Sequence, residues 1–369
     1  MTPSPSISLG RVRIGAEHQC LIIPEGCDNH MGSLARAKEM AAAAKEAGAS
    51  IIKWQLHLPE EEMVKDEAIR ASRDSLKKWG SIWHFVKKFS LSVEDHYELK
   101  RYCDAIGIQY FCTPFSLRAA EILREMGVAG FKIGSGENDD LPMIEEVAAM
   151  KKPMVISTGM TTMAHIEMTV KAVKKAGTKL ALAHCMSLYA GQRIDQLNFG
   201  AIPMLRERFG VPVGLSDHTP PESIRGRDGE SVSEEARVWA AVHAGAVFIE
   251  KHFTLDRKQK DADSRFSLDP KALRDLIVTV RAATEATGVR EGVFPEEQDV
   301  ALWAKRSLVT TRSLRKGERI TRATLTSKRP GTGIRSYDYR SVIGRRAARA
   351  LPQNTLLTWK DIESKKASK

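Results

Sequence analysis

Two histidines of this chain follow apolar runs of the kind that form buried strands. His218 comes shortly after VPVGLS (211–216), and His252 comes directly after AVFIEK (246–251). A single histidine at a strand end is usually just hydrogen-bonded, but two neutral imidazoles facing one cavity form part of a ligand set for a divalent metal. No HExxH or CxxC spacing favours zinc. The pair therefore predicts a harder ion, Mn2+ or Mg2+. Water molecules and a substrate oxygen would complete the coordination of this ion.

Two lysines interrupt other apolar runs, Lys53 in IIKWQ and Lys132 in FKIGS. Burying an ammonium group is costly unless it meets an anion. The glycines around Ser135 let backbone amides approach an anion closely, and further hydroxyls follow other runs at Ser157, Ser187 and Ser216. Together these residues predict a phosphate or carboxylate site, with a structural ion pair as the alternative for each lysine.

The remaining polar residues at the ends of apolar runs are also candidates for chemistry. Glu25 ends the first run, CLIIPE (20–25), and would be available across a cavity from the two histidines. The others are Gln55, Glu137, Thr158, His184 and Tyr189.

Eight apolar runs alternate with amphipathic segments such as SLARAKEMAAAAKEAGA (33–49). The runs do not alternate in polarity, which favours a parallel sheet buried on both faces. Eight strand–helix units over about 250 residues predict a (β/α)8 TIM barrel, whose chemistry lies at the carboxyl ends of its strands. The predicted strands cover residues 20–25, 50–56, 108–113, 130–135, 153–158, 180–185, 211–216 and 246–251.

The pattern changes near residue 290, which predicts a second domain. We assign residues 1–290 to the barrel, 291–304 to a linker and 305–369 to a small β-rich domain. Within the barrel, 57–91 and 219–234 are predicted as long loops, the usual position of lids.

Composition limits the class of protein. The chain has 369 residues, of which 42% are hydrophobic and 28% charged, as in ordinary globular proteins. No apolar run approaches the roughly 18–20 residues of a membrane span, and MTPSPSISLGRVRIG lacks the apolar segment of a signal peptide. An odd number of cysteines, five, without CxxC spacing argues against a disulfide framework. We therefore expect a cytoplasmic protein that binds no membrane.

The positive charge is concentrated at the C-terminal end. Residues 303–369 hold 18 lysines and arginines against 4 acidic residues, whereas the rest of the chain is nearly balanced. This could indicate nucleic-acid binding, a field that attracts an anionic substrate, or a solvated surface. The segment lacks the interleaved aromatic residues of single-strand binders, so we expect no nucleic-acid partner.

Together the motifs resemble the sialic acid synthases, which condense phosphoenolpyruvate with an N-acyl-sugar aldehyde to make nonulosonic acids. The matching stretches include FKIGSGENDDLPMI, KPMVISTGM, LAHCMSLYA, PVGLSDHT and IEKHFTLD. The C-terminal RSLVTTRSLRKGERIT and KRPGTGI resemble the antifreeze-like (SAF) domain of that family. The resemblance covers almost the whole chain and implies a transferase that forms a C–C bond.

The resemblance also implies a role for each matched residue. The metal ligands, usually of Mn2+, would be His218 and His252. Phosphoenolpyruvate would be bound by Lys53, Lys132, Ser135, Ser157, Ser187 and Ser216. The sugar would be bound by Gln55, Tyr189, Asp263 and, from the small domain, Arg329. The catalytic residues would be Glu25, Glu137 and Asp263, with Glu25 or a metal-bound water taking the proton of the attacking water. Because the small domain of this family caps the partner's barrel, a domain-swapped homodimer is implied.

Two departures leave the sugar open. PEGCDNHMG (24–32) replaces the usual AEIGxNHxG, and DADSRFSLDP (261–270) keeps Asp263 but has Ser264 where the family has histidine. The SxFSL ending resembles the pseudaminic and legionaminic branches. The acceptor could be N-acetylmannosamine, its 6-phosphate or a diacetamido-trideoxyhexose.

Two other functions remain open from the residues alone. One is a Schiff-base sugar aldolase with Lys132 as nucleophile, which needs no metal. The other is a non-enzymatic anion-binding protein that uses the basic C-terminal domain.

Overall fold

The computed structural model describes residues 5–71, 80–188, 192–259 and 263–363. The chain divides into two units, Met1–Gly288 and Val289–Lys369. The strands of the first unit are β1 (Ser6–Leu9), β2 (Val12–Gly15), β3 (Leu21–Glu25), β4 (Ile51–Leu56), β5 (Gln109–Pro114), β6 (Phe131–Ile133), β7 (Met154–Ser157), β8 (Leu180–Cys185), β9 (Val213–Asp217), β10 (Ile224–Arg225), β11 (Ser231–Val232) and β12 (Phe248–His252).

Eight of these strands form one parallel sheet in the order β5-β4-β3-β12-β9-β8-β7-β6. The two end strands, β5 and β6, lie side by side, so the sheet is nearly closed. The eight strands coincide with the eight predicted runs to within two residues at most ends. The predicted (β/α)8 barrel is therefore confirmed.

Helices connect the strands on the outside of the barrel. They are α1 (Leu34–Glu46), α2 (Pro59–Glu62), α3 (Lys65–Ala71), α4 (Ile82–Phe89), α5 (Val93–Ile106), α6 (Leu117–Glu125), α7 (Leu141–Ala149), α8 (Met163–Lys175), α9 (Ala201–Phe209), α10 (Glu234–His243) and α11 (Pro270–Glu285). Most begin at a serine, threonine or aspartate whose side chain accepts a hydrogen bond from the first helical turn, as Ser33 does for α1. Each such cap stabilises the helix by about 1 kcal/mol.

Strand alternation decides which side chains enter the barrel. In β12, Phe248, Glu250 and His252 occupy alternate positions, so they share one face. The lower part of the barrel is apolar: Phe248 packs with Ile23, Ile51 and Phe111, and the hairpin of β1 and β2 adds further apolar side chains to the same cluster. The polar side chains of the barrel interior therefore lie at the carboxyl ends of the strands, beyond this apolar cluster.

Two segments differ from the sequence prediction. Residues 57–91 are not one long loop: their described part contains α2, α3 and α4, and Phe85, Val86 and Phe89 of α4 form a small apolar cluster of their own. Residues 219–234 contain the short antiparallel pair β10 and β11. The hairpin of β1 and β2 was not predicted.

The second unit has its own apolar core and carries the basic segment. It contains α12 (Gln298–Ala304), β13 (Ser307–Thr310), β14 (Leu325–Lys328) and α13 (Tyr339–Val342), with β13 and β14 antiparallel. Helix α12 occupies half of the predicted linker. Leucine and isoleucine side chains such as Leu308, Ile320 and Leu357 fill the core. None of the helices in the described ranges is long and apolar enough to cross a bilayer.

Candidate active site

A polar cavity of about 150 Å3 lies at the carboxyl ends of the barrel strands. Most of the residues predicted for the site line it: Glu25, Lys53, Gln55, Lys132, Ser135, Glu137, Ser157, Ser187, Ser216, His218 and His252. The structure adds Thr113, Phe115, Met160 and Glu250 to this lining. The fold therefore brings together residues that are more than two hundred positions apart in the chain.

Glu250 is the central anion of the cavity, and the sequence analysis missed it. Its Oε1 lies 3.6 Å from the Nζ of Lys53 and 3.6 Å from the Nζ of Lys132, and it accepts a 2.9 Å hydrogen bond from Ser216 Oγ. Burial alone would raise the pKa of this carboxyl, but the two ammonium groups lower it below its usual range. Glu250 is therefore ionised at neutral pH and makes it possible to bury two cations side by side.

Lys53 is held between two carboxylates. It forms ion pairs with Glu25 and Glu250, and it donates a 3.2 Å hydrogen bond to Thr113 Oγ1. Burial lowers the pKa of Lys53 to about 8, and the neighbouring Lys132 acts in the same direction. The second oxygen of Glu25 accepts a 2.7 Å hydrogen bond from the backbone of Cys27, so that carboxylate is fixed at both ends.

Lys132 and three serines form one wall of the cavity. The Nζ of Lys132 donates to Ser157 Oγ at 2.7 Å. A Cβ added to Gly159 would lie 2.3 Å from Ser187 Oγ and 2.6 Å from Ser135 Oγ. Only glycine allows both hydroxyls to converge there, beside the ammonium group. Hydroxyls around a cation are the usual donors to a phosphate or carboxylate group.

His218 and His252 lie side by side in the lining of the cavity. Their ring centroids are 5.2 Å apart and their planes are inclined by 56°. Asp263 Oδ2 lies 3.3 Å from His252 Nδ1, and Cys27, His252 and Asp263 each offer a ligand atom within 4.8 Å of the others. Imidazole, carboxylate and thiol groups are all metal ligands. The residues present therefore fit a divalent cation.

A second thiol lies against the other histidine. Cys185 Sγ is 3.7 Å from His218 Nδ1 and 3.4 Å from Ser187 Oγ. Burial would raise the pKa of this thiol, but the hydrogen bond and charge of His218 outweigh it and lower the pKa to about 7. This cysteine, like the other four, is free and buried, as expected for reduced thiols.

Another part of the cavity lining comes from strand β4 and the segments around it. His57 Nδ1 lies 3.1 Å from each carboxylate oxygen of Glu62, its Nε2 lies 3.2 Å from Gln55 Oε1, and its ring stacks on Phe115 at 4.0 Å. Burial opposes the charged form of His57, but Glu62 outweighs it and raises the pKa. An aromatic face with adjacent amide and carboxylate groups suits the polar and apolar faces of a sugar. No pattern in the sequence predicted that α2 would bring Glu62 into contact with His57.

Glu137 completes this part of the cavity lining. Burial raises the pKa of its carboxyl to about 7, against the opposing charge of Lys132. Its Oε2 is buried without a hydrogen-bond partner among the described residues. A carboxyl that titrates near neutrality in a cavity is a candidate general acid.

Two predicted residues lie elsewhere, and one falls outside the described ranges. Asp263 lies beside His252 rather than in the cavity lining. Arg329 belongs to the second unit, where its guanidinium lies 5.5 Å from the centroid of the Trp303 ring. Tyr189 lies outside the described residues. The sugar-binding roles of these three residues stay predictions.

Behind the histidines, an ion network fixes the two strands that carry them. Lys251 is fully buried, and its Nζ lies 2.7 Å from a carboxylate oxygen of Asp217 and 2.7 Å from one of Glu234. Asp217 precedes His218 and Lys251 precedes His252, while Glu234 begins α10. The network therefore ties β9 and β12 to one helix and sets the position of both imidazoles.

Comparison with known proteins assigns the chain to a protein family. The sequence profile of the NeuB family matches residues 40–292, and that of the SAF domain matches residues 305–363. An uncharacterized protein of Methanocaldococcus jannaschii is 34% identical over 96% of this chain and 98% of its own. The N,N'-diacetyllegionaminic acid synthase of Legionella pneumophila is 33% identical over 95% of this chain and 96% of its own.

A solved structure extends the comparison to the fold. The N-acetylneuraminic acid synthetase of Leptospira borgpetersenii, crystallised with citrate, is 29% identical and covers 80% of this chain and 95% of its own, with a TM-score of 0.68. The relatives with named activities are thus synthases of nonulosonic acids, and the prediction of an enzyme rather than a non-enzymatic anion-binding protein is confirmed. The chain belongs to the NeuB family and carries a C-terminal SAF domain.

Proposed function

We propose that this protein is a nonulosonic acid synthase that condenses phosphoenolpyruvate with the aldehyde form of an N-acyl-hexosamine and releases phosphate. The observation that carries the proposal is that the lining of one cavity combines two sets of groups. One set, which we call the donor end, consists of Lys53, Lys132 and the converging serine hydroxyls, and the other contains the Gln55 amide and the Phe115 ring. An anionic donor and a neutral polyol acceptor would each find matching groups.

We expect phosphoenolpyruvate to bind at the donor end. The charges of Lys53 and Lys132 are balanced there by Glu25 and Glu250, so neutral hydrogen-bond donors must help to bind the phosphate and carboxylate groups. The hydroxyls of Ser135 and Ser187 around Gly159 supply neutral donors to the remaining oxygens. Lys132 and the serines would therefore bind the phosphate group, with Ser157 and Ser216 holding Lys132 and Glu250 in place.

In the reaction, the C3 carbon of the enol attacks the aldehyde carbon and forms the new C–C bond. The C2 carbon becomes an oxocarbenium-like centre, a water molecule adds to it, and the C2–O bond to phosphate breaks to leave a ketone. Three proton transfers accompany these steps: the aldehyde oxygen gains one proton, the attacking water loses one as it adds to C2, and the resulting hydroxyl loses its proton to the departing phosphate as the ketone forms. Aligning both substrates in one cavity supplies much of the rate acceleration.

Three groups would assist these charge movements. A divalent ion at His218 and His252, Mn2+ or Mg2+, would polarise the aldehyde carbonyl as a Lewis acid. Glu137, protonated in part at neutral pH because of its raised pKa, would donate a proton to the aldehyde oxygen. Glu25, anchored by Lys53 and the Cys27 backbone, would accept the proton of the attacking water.

For the acceptor, we propose a diacetamido-trideoxyhexose. The L. pneumophila relative named for N,N'-diacetyllegionaminic acid matches almost the full length of both chains, and the SRFSL stretch (264–268) is of the type found in the legionaminic and pseudaminic branches. N-acetylmannosamine and its 6-phosphate are the acceptors to compare. We also propose a cytoplasmic location, because five free, buried thiols are in line with a reducing compartment.

We also propose a domain-swapped homodimer in which Arg329 reaches the partner's cavity. The second unit exposes Leu302 by 52% and Trp303 by 58%, and Arg329 stacks beside this tryptophan, a composition typical of interfaces. Co-expression of an Arg329→Ala chain with a Lys132→Ala chain should restore on the order of a quarter of the wild-type activity, because one site in each mixed dimer is intact. Activity no higher than that of either variant alone would contradict the swap.

The decisive assay is phosphate release from phosphoenolpyruvate with Mn2+ and each of the three acceptors. We expect release to depend on both substrates and to be fastest with the diacetamido sugar. Glu137→Gln should lower kcat by about 10²–10⁴-fold without weakening phosphoenolpyruvate binding. Absence of release with every acceptor would refute the proposed reaction, and borohydride trapping of an adduct on Lys132 would favour the aldolase instead.

A further inference from the structure

The histidine end of the cavity contains a thiol that the proposed reaction does not use. Cys27 lies two residues beyond the end of β3, and its side chain is 1% exposed. Strand β3 pairs with β12 so that Glu25 lies opposite His252. This pairing explains why Cys27 reaches the imidazole of His252 although the two residues are far apart in the chain.

The thiol belongs to a group of potential ligands rather than standing alone. One ligand atom each from Cys27, His252 and Asp263 lies within 4.8 Å of the other two. Ligand atoms around a tetrahedral ion are about 3.5 Å apart, given metal–ligand bonds of about 2.0–2.3 Å. A small inward movement would therefore place all three around one ion, and the ring of His218, with its centroid 5.2 Å from that of His252, offers a fourth donor.

The group is held in place by buried hydrogen bonds. Asn29, fully buried, accepts a 3.1 Å hydrogen bond from the backbone of Asp263 and donates at 2.9 Å to the carbonyl of Phe253 and at 2.9 Å to Ser267 Oγ. Ser267 in turn donates to the Asp263 carbonyl at 2.9 Å. Asn29, two residues after Cys27 in the chain, thus fixes the Asp263 backbone against the end of β12. Such outer hydrogen bonds are the usual support of metal ligands.

The backbone of Cys27 is in an unfavourable conformation. Its φ is +37°, in the left-handed region that favours glycine. Residues other than glycine in that region are held there by their surroundings and concentrate at functional sites. Here the residue with this backbone conformation is a cysteine rather than a glycine, and its thiol lies near His252.

Charge balance favours the same set of ligands. A divalent ion bound only by two neutral imidazoles would leave two positive charges in a buried site, which is costly. A Cys27 thiolate and the Asp263 carboxylate would neutralise both charges before any substrate binds. When the metal–sulfur bond forms, the thiol proton passes to solvent.

We propose that Cys27 is a metal ligand, and that Cys27, His218, His252 and Asp263 form a thiolate-containing centre that binds Zn2+, Co2+ or Fe2+ more tightly than Mn2+ or Mg2+. Thiolate ligands select softer ions, whereas carboxylate and water suit Mg2+ and Mn2+. The inference rests on the metal site of the proposed function but not on the proposed reaction, because it concerns binding in the absence of substrates.

The test is cobalt spectroscopy of the full chain after chelation and without substrates. We expect one Co2+ per chain, with visible ligand-field bands and a near-ultraviolet sulfur-to-cobalt charge-transfer band. Cys27→Ser and Cys27→Gly should abolish the charge-transfer band and weaken Co2+ binding by at least about tenfold. Glycine suits the left-handed backbone, so the second variant protects the test against a folding defect of the first. Cys20→Ser, a buried thiol at the other end of β3, should retain the band.

Two outcomes would overturn the proposal. Ligand-field bands without a charge-transfer band in the wild-type protein would show a site of nitrogen and oxygen ligands only. Loss of the band in Cys185→Ser but not in Cys27→Ser would assign the thiolate to Cys185, which lies 3.7 Å from His218. Failure of the proposed reaction would appear separately, as absence of phosphate release from a protein that still binds Co2+ through sulfur.

Discussion

Glu250→Gln is the sharpest perturbation of the donor end, because one carboxylate separates two buried ammonium groups. Its Oε1 lies 3.6 Å from Lys53 Nζ and 3.6 Å from Lys132 Nζ. At an effective dielectric constant of about 20, a pair of unit charges at this distance attracts by about 4–5 kcal/mol. Glutamine keeps the shape of the side chain and one acceptor oxygen, removes the charge and replaces the second oxygen with an NH2 donor.

The consequence is a shift in the pH dependence of phosphoenolpyruvate binding. The pKa of Lys53 is about 8 in the wild-type protein, so the lysine is protonated below that pH and loses its charge as the pH rises through it. Wild-type affinity for phosphoenolpyruvate should therefore fall above about pH 8. Losing 4–5 kcal/mol of attraction would lower the pKa of Lys53 by about three units. Glu25 still contacts Lys53, so we expect a decrease of about one to three units.

The assay is calorimetric titration with phosphoenolpyruvate across a range from about pH 6 to about pH 9. In Glu250→Gln the loss of affinity should begin at or below neutral pH, and the free energy of unfolding at neutral pH should fall by about 3–5 kcal/mol because Lys132 loses its buried counter-ion and Lys53 keeps only Glu25. Glu234→Gln is the matched control: it removes a partly buried carboxylate from Lys251, outside the cavity. It should reduce stability without moving the pH dependence of binding. An unchanged midpoint near pH 8 in Glu250→Gln would refute the electrostatic role given to Glu250.

Three further predictions follow from the same contacts. Gly159→Ala should raise the KM for phosphoenolpyruvate at least about tenfold, because the new methyl group would displace the hydroxyls of Ser187 and Ser135. The KM for the sugar should stay nearly unchanged. The control Gly200→Ala, whose Cβ would meet nothing within 4 Å, should change neither constant. Lys251→Met should lower the free energy of unfolding in urea by about 3–5 kcal/mol by leaving buried Asp217 and partly buried Glu234 without their cation. A wild-type value would show that the network does not stabilise β9 and β12. Treatment with a chelator should stop phosphate release and added Mn2+ should restore it; full activity after chelation would rule out the proposed Lewis-acid role.

The sequence predicted the barrel and most of the cavity because both depend on local patterns. Apolar runs mark parallel strands, and a parallel barrel gathers every strand end at one face. Once the eight strands were recognised, Lys53, Lys132 and His252 had to meet there, whatever their separation in the chain. No further long-range information was needed for these residues.

Residues in connecting segments could not be predicted in this way. Cys27 reaches His252 only because the turn after β3 adopts a left-handed backbone and Asn29 holds the facing loop. Glu62 reaches His57 only because the single turn of α2 brings its last residue back to the histidine five positions earlier. Neither event has a periodic signature, since each depends on tertiary packing of a few residues rather than on strand or helix period.

Glu250 is different, because strand geometry alone could have found it. Side chains two positions apart on a strand share a face, so the prediction that His252 faces the cavity already places Glu250 there and Lys251 on the opposite face. The structure uses this alternation twice: Glu250 separates the two lysines inside, while Lys251 is neutralised outside by Asp217 and Glu234. A one-residue slip of β12 would exchange the faces. It would place the Lys251 ammonium beside two other buried cations and leave both outer carboxylates without their cation, each at a cost of several kcal/mol. The alternating charges of FIEKH therefore do more than supply ligands, because they also exclude the register in which those ligands would point away from the site.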